Sequence, residues 1–222
     1  DVFVVPVDGT PEQLKSPRNL TAKNPAFDGS PKYSPDGKSI AFTANRQSDS
    51  EYSAYTVSDI HVVAASGGEP RNLTPGPGVG YGPSWSPDGS SIAFIGHDRA
   101  DDWWGIWNHR IWVVPVTGGA PRMLTPDLDR TAEDVTIGDL HDVHGGGAPT
   151  WSRDGKTVTF TASDHGSTHL FTVPAAGSLP AGRRPCGVAC HSVIDFAVGT
   201  TLNTVRSSAR RRFAAAASKV PW

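Results

Sequence analysis

A four-residue turn recurs three times along this chain: Ser34-Pro35-Asp36-Gly37, Ser86-Pro87-Asp88-Gly89 and Ser152-Arg153-Asp154-Gly155. Ser at the first corner, Pro at the second, Asp at the third and Gly at the fourth is the order a type I turn prefers, with Gly free to turn left-handed into a hairpin. The third copy trades Pro for Arg153, which removes preorganisation but leaves the turn chemistry in place. Alternating apolar residues follow each turn: Ile40 and Phe42, Ile92 and Phe94, Val158 and Phe160. Alternation with a period of two is the mark of a β-strand with one buried face. An aromatic precedes each turn (Tyr33, Trp85, Trp151) and is expected, like Trp112, in the core.

A second motif runs in step with the first. Four apolar runs end in a Gly turn: "VFVVPVDGT" (2–10), "IHVVAASGG" (60–68), "IWVVPVTGG" (111–119) and "LFTVPAAGS" (170–178). Three of them lead into a short closing element, "RNLT" (18–21), "RNLT" (71–74) and "RMLT" (122–125). The order is strand, S-P-D-G turn, strand, longer loop, strand, G-G turn, short strand. That is a four-stranded antiparallel sheet, and one such sheet cannot bury both of its faces unless neighbours stack on it. The fold class is therefore all-β, a β-propeller of four-stranded blades.

About three blades are expected within residues 1–177: a half blade at 1–21, blades at 31–74 and 83–125, and a partial blade at 149–177. Propellers close with four to eight blades, so this one is expected to be incomplete. The turn aspartates stand 52 and 66 residues apart, against about 40–45 for a plain blade. The excess lies in loops 45–58, 96–109 and 126–148. In an up-and-down blade these loops leave from one face and the tight turns from the other. Function is expected on the elaborated face.

Residues 178–222 break the pattern. They carry no S-P-D-G and no closing L-T, and 183–222 hold seven basic residues against the single acid Asp195. The remainder of the chain has 13 basic against 21 acidic residues, a net charge of −8. This basic, Ala-rich tail reads as a frameshifted or misjoined end, or as a disordered extension. Cys186, Cys190 and His191 lack a second ligand pair and are not read as a zinc site, nor Arg210–Arg212 as a nucleic-acid contact. No cysteine precedes residue 186, so no disulfide framework supports the main body. The sequence opens at Asp1 without a basic-then-apolar stretch, so no signal peptide is expected within it, and no run of about 18 apolar residues suggests a membrane span. With a net charge of −2, neither nucleic acid nor an acidic membrane is an expected partner.

Taken together, "PxWSPDGxxIAF" and "IxVVPxxGGxPRxLT" resemble the TolB-type repeat, which builds the propeller of TolB and the amino-terminal propeller of prolyl oligopeptidase family serine peptidases. "FIGHD" (94–98), "RIWVVPVTGGAPRMLTPDLDR" (110–130), Gly138-Asp139 and "WSRDGKTVTFTASDHGSTHLFTVP" (151–174) look more like the acylaminoacyl-peptidase branch. The resemblance implies a propeller that gates short peptides to a catalytic α/β-hydrolase domain, in the cytoplasm. The alternative is a TolB-like protein-binding propeller without chemistry, in the periplasm. No G-x-S-x-G nucleophile elbow occurs in the 222 residues, so no catalytic residue is assigned, and no cofactor or metal is expected.

Four motifs invite a functional reading. His144–Gly147, "HGGG", matches the oxyanion motif of lipases, but it leads directly into "APTWSRDG" and reads as a loop entering the next blade. Asp139, His141, Asp142 and His144 are loosely spaced for a metal and read as a solvated loop. Trp103, Trp104 and Trp107, in "DDWWGIWN", either pack on their own blade or dock a catalytic domain and line a peptide path. Asp36, Gly37, Asp88, Gly89, Asp154 and Gly155 are the structural turn residues.

Overall fold

The computed structural model describes residues 1–24, 26–45, 57–76, 78–99, 107–135 and 147–177. Four antiparallel sheets follow one another along the chain. The first pairs β1 (Phe3–Val4) with β2 (Arg18–Asn19). The second holds β3 (Asp28–Tyr33), β4 (Ser39–Ala44), β5 (Asp59–Ala64) and β6 (Arg71–Asn72) in that order. The third repeats it with β7 (Val79–Trp85), β8 (Ser91–His97), β9 (Arg110–Pro115) and β10 (Arg122–Met123). The fourth has three strands, β11 (Thr150–Trp151), β12 (Thr157–Asp164) and β13 (Ser167–Pro174). Among the described residues these sheets do not close a ring, and the architecture is an incomplete β-propeller.

Each S-x-D-G turn is held the same way. The carboxylate Oδ1 of Asp36 accepts from the Ser34 hydroxyl at 2.6 Å and from the Lys38 amide at 3.1 Å. Asp88 and Asp154 repeat both bonds. Donation by the serine, then by the amide, holds all three carboxyls below the usual carboxylate range. The closing glycines take φ of +70° at Gly37, +71° at Gly89 and +69° at Gly155, where a Cβ would be strained.

The closing R-x-L-T has one task per residue. Its Thr hydroxyl accepts a backbone amide near the start of the strand it pairs with: Thr21 from Val2, just ahead of β1, Thr74 from Ile60 in β5 and Thr125 from Ile111 in β9. Its Leu is buried: Leu20, Leu73 and Leu124. Its Arg crosses to the next sheet, where Arg18, Arg71 and Arg122 donate to the carbonyls of Ala65, Val116 and Ala175.

Three apolar clusters lie between successive sheets. Ile40 and Phe42 face back onto Val2 and Leu20. Ile92 and Phe94 face back onto Ala41 and Ile60. Val158 and Phe160 face back onto Ala93 and Ile95. The apolar pair after every turn is thus the packing surface for the preceding blade.

The aromatics before the turns depart from the expectation of a fully buried core. Trp85 and Trp151 are only partly buried, because each stands at a seam and donates its indole N–H to the preceding sheet: to Lys32 O at 3.0 Å and to Ser84 O at 2.9 Å. Trp112, also partly buried, donates to Gly96 O within its own sheet. Tyr33 is 54% exposed, since the sheet before it consists of β1 and β2 and offers no first strand to receive it. A further difference is a short helix, α1 (Pro11–Lys15), in place of the G-G turn between β1 and β2. A capping box marks it in the sequence, with Thr10 and Gln13 each bonding the other's backbone amide.

Candidate functional site

The elaborated face gathers the start of β7, the end of β8, the start of β9 and the segment after β10. Tyr81, His97, His109 and Glu133 meet there. His109 Nδ1 lies 2.6 Å from Glu133 Oε2 and 2.7 Å from the Tyr81 hydroxyl. The ring of His97 stacks on that of His109 with centroids 5.4 Å apart. His97 Nδ1 accepts the Arg99 amide at 3.1 Å. Glu133 is buried. Burial alone would raise its pKa, but donation by His109 and Tyr81 outweighs this and holds the carboxyl below its ordinary range. Burial, then the adjacent Glu133 charge, pushes the Tyr81 phenol up. The cluster is a carboxylate kept ionised by two donors.

Glu133 belongs to a strap that ties the third sheet to the fourth. Ala132 donates its amide to His109 O at 3.0 Å, and Ser163 donates to Glu133 O at 3.1 Å. The Ser163 hydroxyl accepts from the Val135 amide at 2.8 Å, and Thr168 donates to Asp134 at 2.5 Å. Arg130 bonds Asp164 at 2.5 Å, and that donation holds the Asp164 carboxyl low.

Beside the cluster, an apolar groove opens between the second and third sheets, lined by Asp59, Thr74, Gly80, Phe94, His97 and Trp112. Glycine makes the room: a Cβ on Gly80 would meet the Phe94 ring at 3.3 Å. Asp59 sits at the wall, accepting from Asn72 at 2.7 Å and Thr74 at 3.2 Å. Burial nonetheless raises its pKa.

Of the motifs singled out from the sequence, Trp107 lies at this face. It is 38% exposed, with the Arg99 guanidinium 4.4 Å from its ring centroid. Trp103 and Trp104 lie outside the described residues. So do Asp139, His141, Asp142, His144 and the tail with Cys186, Cys190 and His191. Gly147, the last residue of "HGGG", precedes β11. No group of three metal-ligating side chains occurs among the described residues, and none of their helices is long and apolar enough to cross a membrane.

Tyr81, His109 and Glu133 escape sequence reasoning. They are 24 to 52 residues apart with no shared motif, and only the stacking of loop ends joins them. The one available signal is a Tyr in a glycine-rich strand, "GYGP".

No protein-family profile matches the chain. Dipeptidyl-peptidase 5 of Porphyromonas gingivalis is 28% identical over 169 residues, 75% of this chain and 22% of that protein. Dipeptidyl-peptidase 5 of Trichophyton schoenleinii is 30% identical over 182 residues, 76% of this chain and 23% of that protein. Among solved structures, TolB from Acinetobacter baumannii superposes with a TM-score of 0.47 at 19% identity, covering 74% of this chain and 36% of that one. The chain spans under a quarter of the length of these curated relatives. Its sequence relatives are thus dipeptidyl-peptidase 5 proteins, and the chain is an incomplete β-propeller segment similar to a part of them.

Proposed function

We propose that this segment belongs to a serine peptidase of the prolyl oligopeptidase family and gates peptide access to a catalytic α/β-hydrolase domain encoded outside these residues. The observation that carries the reading is the similarity to dipeptidyl-peptidase 5 proteins over three quarters of the chain. In this reading the chain does no bond chemistry. Its role is steric and electrostatic: the elaborated face turns toward the hydrolase domain, and the ring of blades admits only short, extended peptides.

Trp107, with Trp103 and Trp104 of the same inserted loop, is the proposed docking or path-lining segment, because large apolar side chains in a loop gain most from a partner. The Glu133 strap holds the adjoining loops in place. A fluorophosphonate probe, which labels an activated serine, tests the proposal. The polypeptide in its source that yields peptides from residues 1–177 should be labelled and should cleave dipeptides from amino termini. An unlabelled polypeptide carrying these peptides would instead support a binding propeller without chemistry.

A further inference from the structure

The apolar groove between the second and third sheets carries negative charge that its own walls do not balance. Two of its lining side chains are carboxylates, Asp59 and Asp98, and no Lys or Arg is among the described residues that line it. The lining imidazole, His97, accepts the Arg99 amide on Nδ1 at 3.1 Å, so that nitrogen carries no proton and the ring is neutral. The Arg99 guanidinium lies over the Trp107 ring and is not part of the lining.

Asp59 is positioned but not neutralised. Its Oδ2 accepts from the Asn72 side-chain amide at 2.7 Å and its Oδ1 from the Thr74 hydroxyl at 3.2 Å. Both donors are uncharged, and each oxygen keeps a further acceptor site. Asp1 and Asn19 repeat the first of these bonds at 2.7 Å in the first sheet, so the pairing is the fold's way of fixing a carboxylate at this point. Burial outweighs both donors and raises the Asp59 pKa, as it does for a carboxylate without a counter-charge.

The remainder of the groove is apolar and fixed by backbone. Phe94 and Trp112 stack with centroids 6.3 Å apart and planes 14° apart, and Pro75 and Pro121 complete the apolar lining. Gly80 donates its amide to Ser58 O at 2.7 Å, and the Ser58 hydroxyl donates to Gly80 O at 3.1 Å. The cavity measures about 210 Å³, smaller than the roughly 300–1,000 Å³ of pockets that take drug-sized ligands. That is room for one long side chain, not for a cofactor or a folded segment.

We propose that this groove is a subsite for one arginine side chain of an extended peptide, with the guanidinium paired to Asp59 and the stem laid against Phe94 and Trp112. The exposed Asp98 draws the cation to the rim. Arginine fits better than lysine, because its planar fork matches the two half-used oxygens of Asp59 and its flat, weakly hydrated face suits aromatic walls. A free amino terminus has the charge without the apolar stem. Free arginine would bring its own carboxylate toward Asp98, which a peptide bond removes. The inference rests on the groove and not on the peptidase reading, since a binding propeller without chemistry would hold the same residue.

The test titrates the purified 222-residue chain with acetyl-Ala-Arg-Ala-amide, following the Ser58 and Gly80 amides and the Trp112 indole by NMR. The arginine peptide should shift all three signals. The same peptide with citrulline, neutral and of nearly the same shape, should bind at least about 10-fold more weakly. Asp59→Asn should weaken the arginine peptide by about 10-fold or more, and Asp98→Asn at the exposed rim by about 2–5-fold. Glu69→Gln, beside the Gly67–Gly68 turn, should leave it unchanged. Equal binding of the arginine and citrulline peptides, or no shift of these signals, overturns the proposal. So does an unblocked Ala-Ala-Ala-amide that shifts the same signals as strongly, since an amino terminus would then be the occupant. Tighter binding of free arginine than of the blocked peptide overturns it too, in favour of an amino-acid site. Should Asp59→Asn fail to fold, the arginine and citrulline peptides on the unchanged chain and the Asp98→Asn variant decide the outcome.

Discussion

Glu133→Gln is the most informative single change in this protein. The substitution keeps the shape and the acceptor oxygen but removes the charge that His109 and Tyr81 address. The Glu133 and His109 side chains are 10% and 21% exposed, so solvent screens the pair little. A hydrogen bond to an ionised group contributes about 1.5–3 kcal/mol against about 0.5–1.5 for a neutral one, which puts the loss at about 1–2 kcal/mol. For a domain of this size that corresponds to a fall in Tm of about 3–6 °C. The sign with pH follows from the lowered carboxyl. Its folded-state pKa lies below the ordinary 4.5, so the stabilisation is fully present above that value and is lost as pH falls through the folded-state pKa. Thermal unfolding of both proteins, followed by circular dichroism at neutral pH and again at about pH 3, measures this. The gap between them should be open at neutral pH and narrow in acid. Equal Tm values at neutral pH, or a gap that does not change with pH, would refute the view that an ionised Glu133 holds the strap.

Gly96→Ala should destabilise by more than about 3 kcal/mol, because the added carbon would lie 1.8 Å from Val79 O across the β7–β8 pair and backbone cannot swing aside; Gly147→Ala, with nothing within 4 Å, serves as the control in the same denaturant titration. Trp151→Phe removes both the bond to Ser84 O and one ring of the indole, at a cost of at least about 0.5–1.5 kcal/mol, whereas Tyr33→Phe at the exposed first position should change stability by less than about 0.5 kcal/mol. Phe160→Ala empties the seam between the third and fourth sheets and should cost about 3–5 kcal/mol, read as a drop in unfolding midpoint at unchanged slope. The purified 222-residue chain should leave dipeptidyl and acylated peptide substrates uncut, and measurable turnover would sink the assignment of chemistry to residues outside it.

Much of the fold was legible because propeller blades are written locally. Ser34 through Phe42 specify a turn and the strand after it within nine residues, and three copies make the pattern hard to mistake. Strand pairing within each sheet follows, since short turns leave neighbouring strands little choice but to pair. Most of the departures involve groups whose partners lie in another sheet; Trp112, bonded to Gly96 O in its own sheet, and the helix α1 are the exceptions. Trp85 and Trp151 look like core aromatics by position, yet each spends its indole on a carbonyl 53 and 67 residues away. Arg18, Arg71 and Arg122 look like solvent-exposed charges and are seam ties. The helix α1 carries a capping box, but at five residues it is too short to show helical periodicity in the sequence.

The sequence alone therefore determined the repeating unit, its turns and the alternation that buries Ile40, Phe42 and their equivalents, because each of these is enforced by residues within a few positions of one another. Only the tertiary structure decided how units meet: which carbonyl each Trp and Arg finds, and how the strap at 130–135 brings Tyr81, His109 and Glu133 into bonding distance. Those contacts depend on the angle and stacking of one sheet against the next. That is a property of packed surfaces, and no local pattern of residues encodes it.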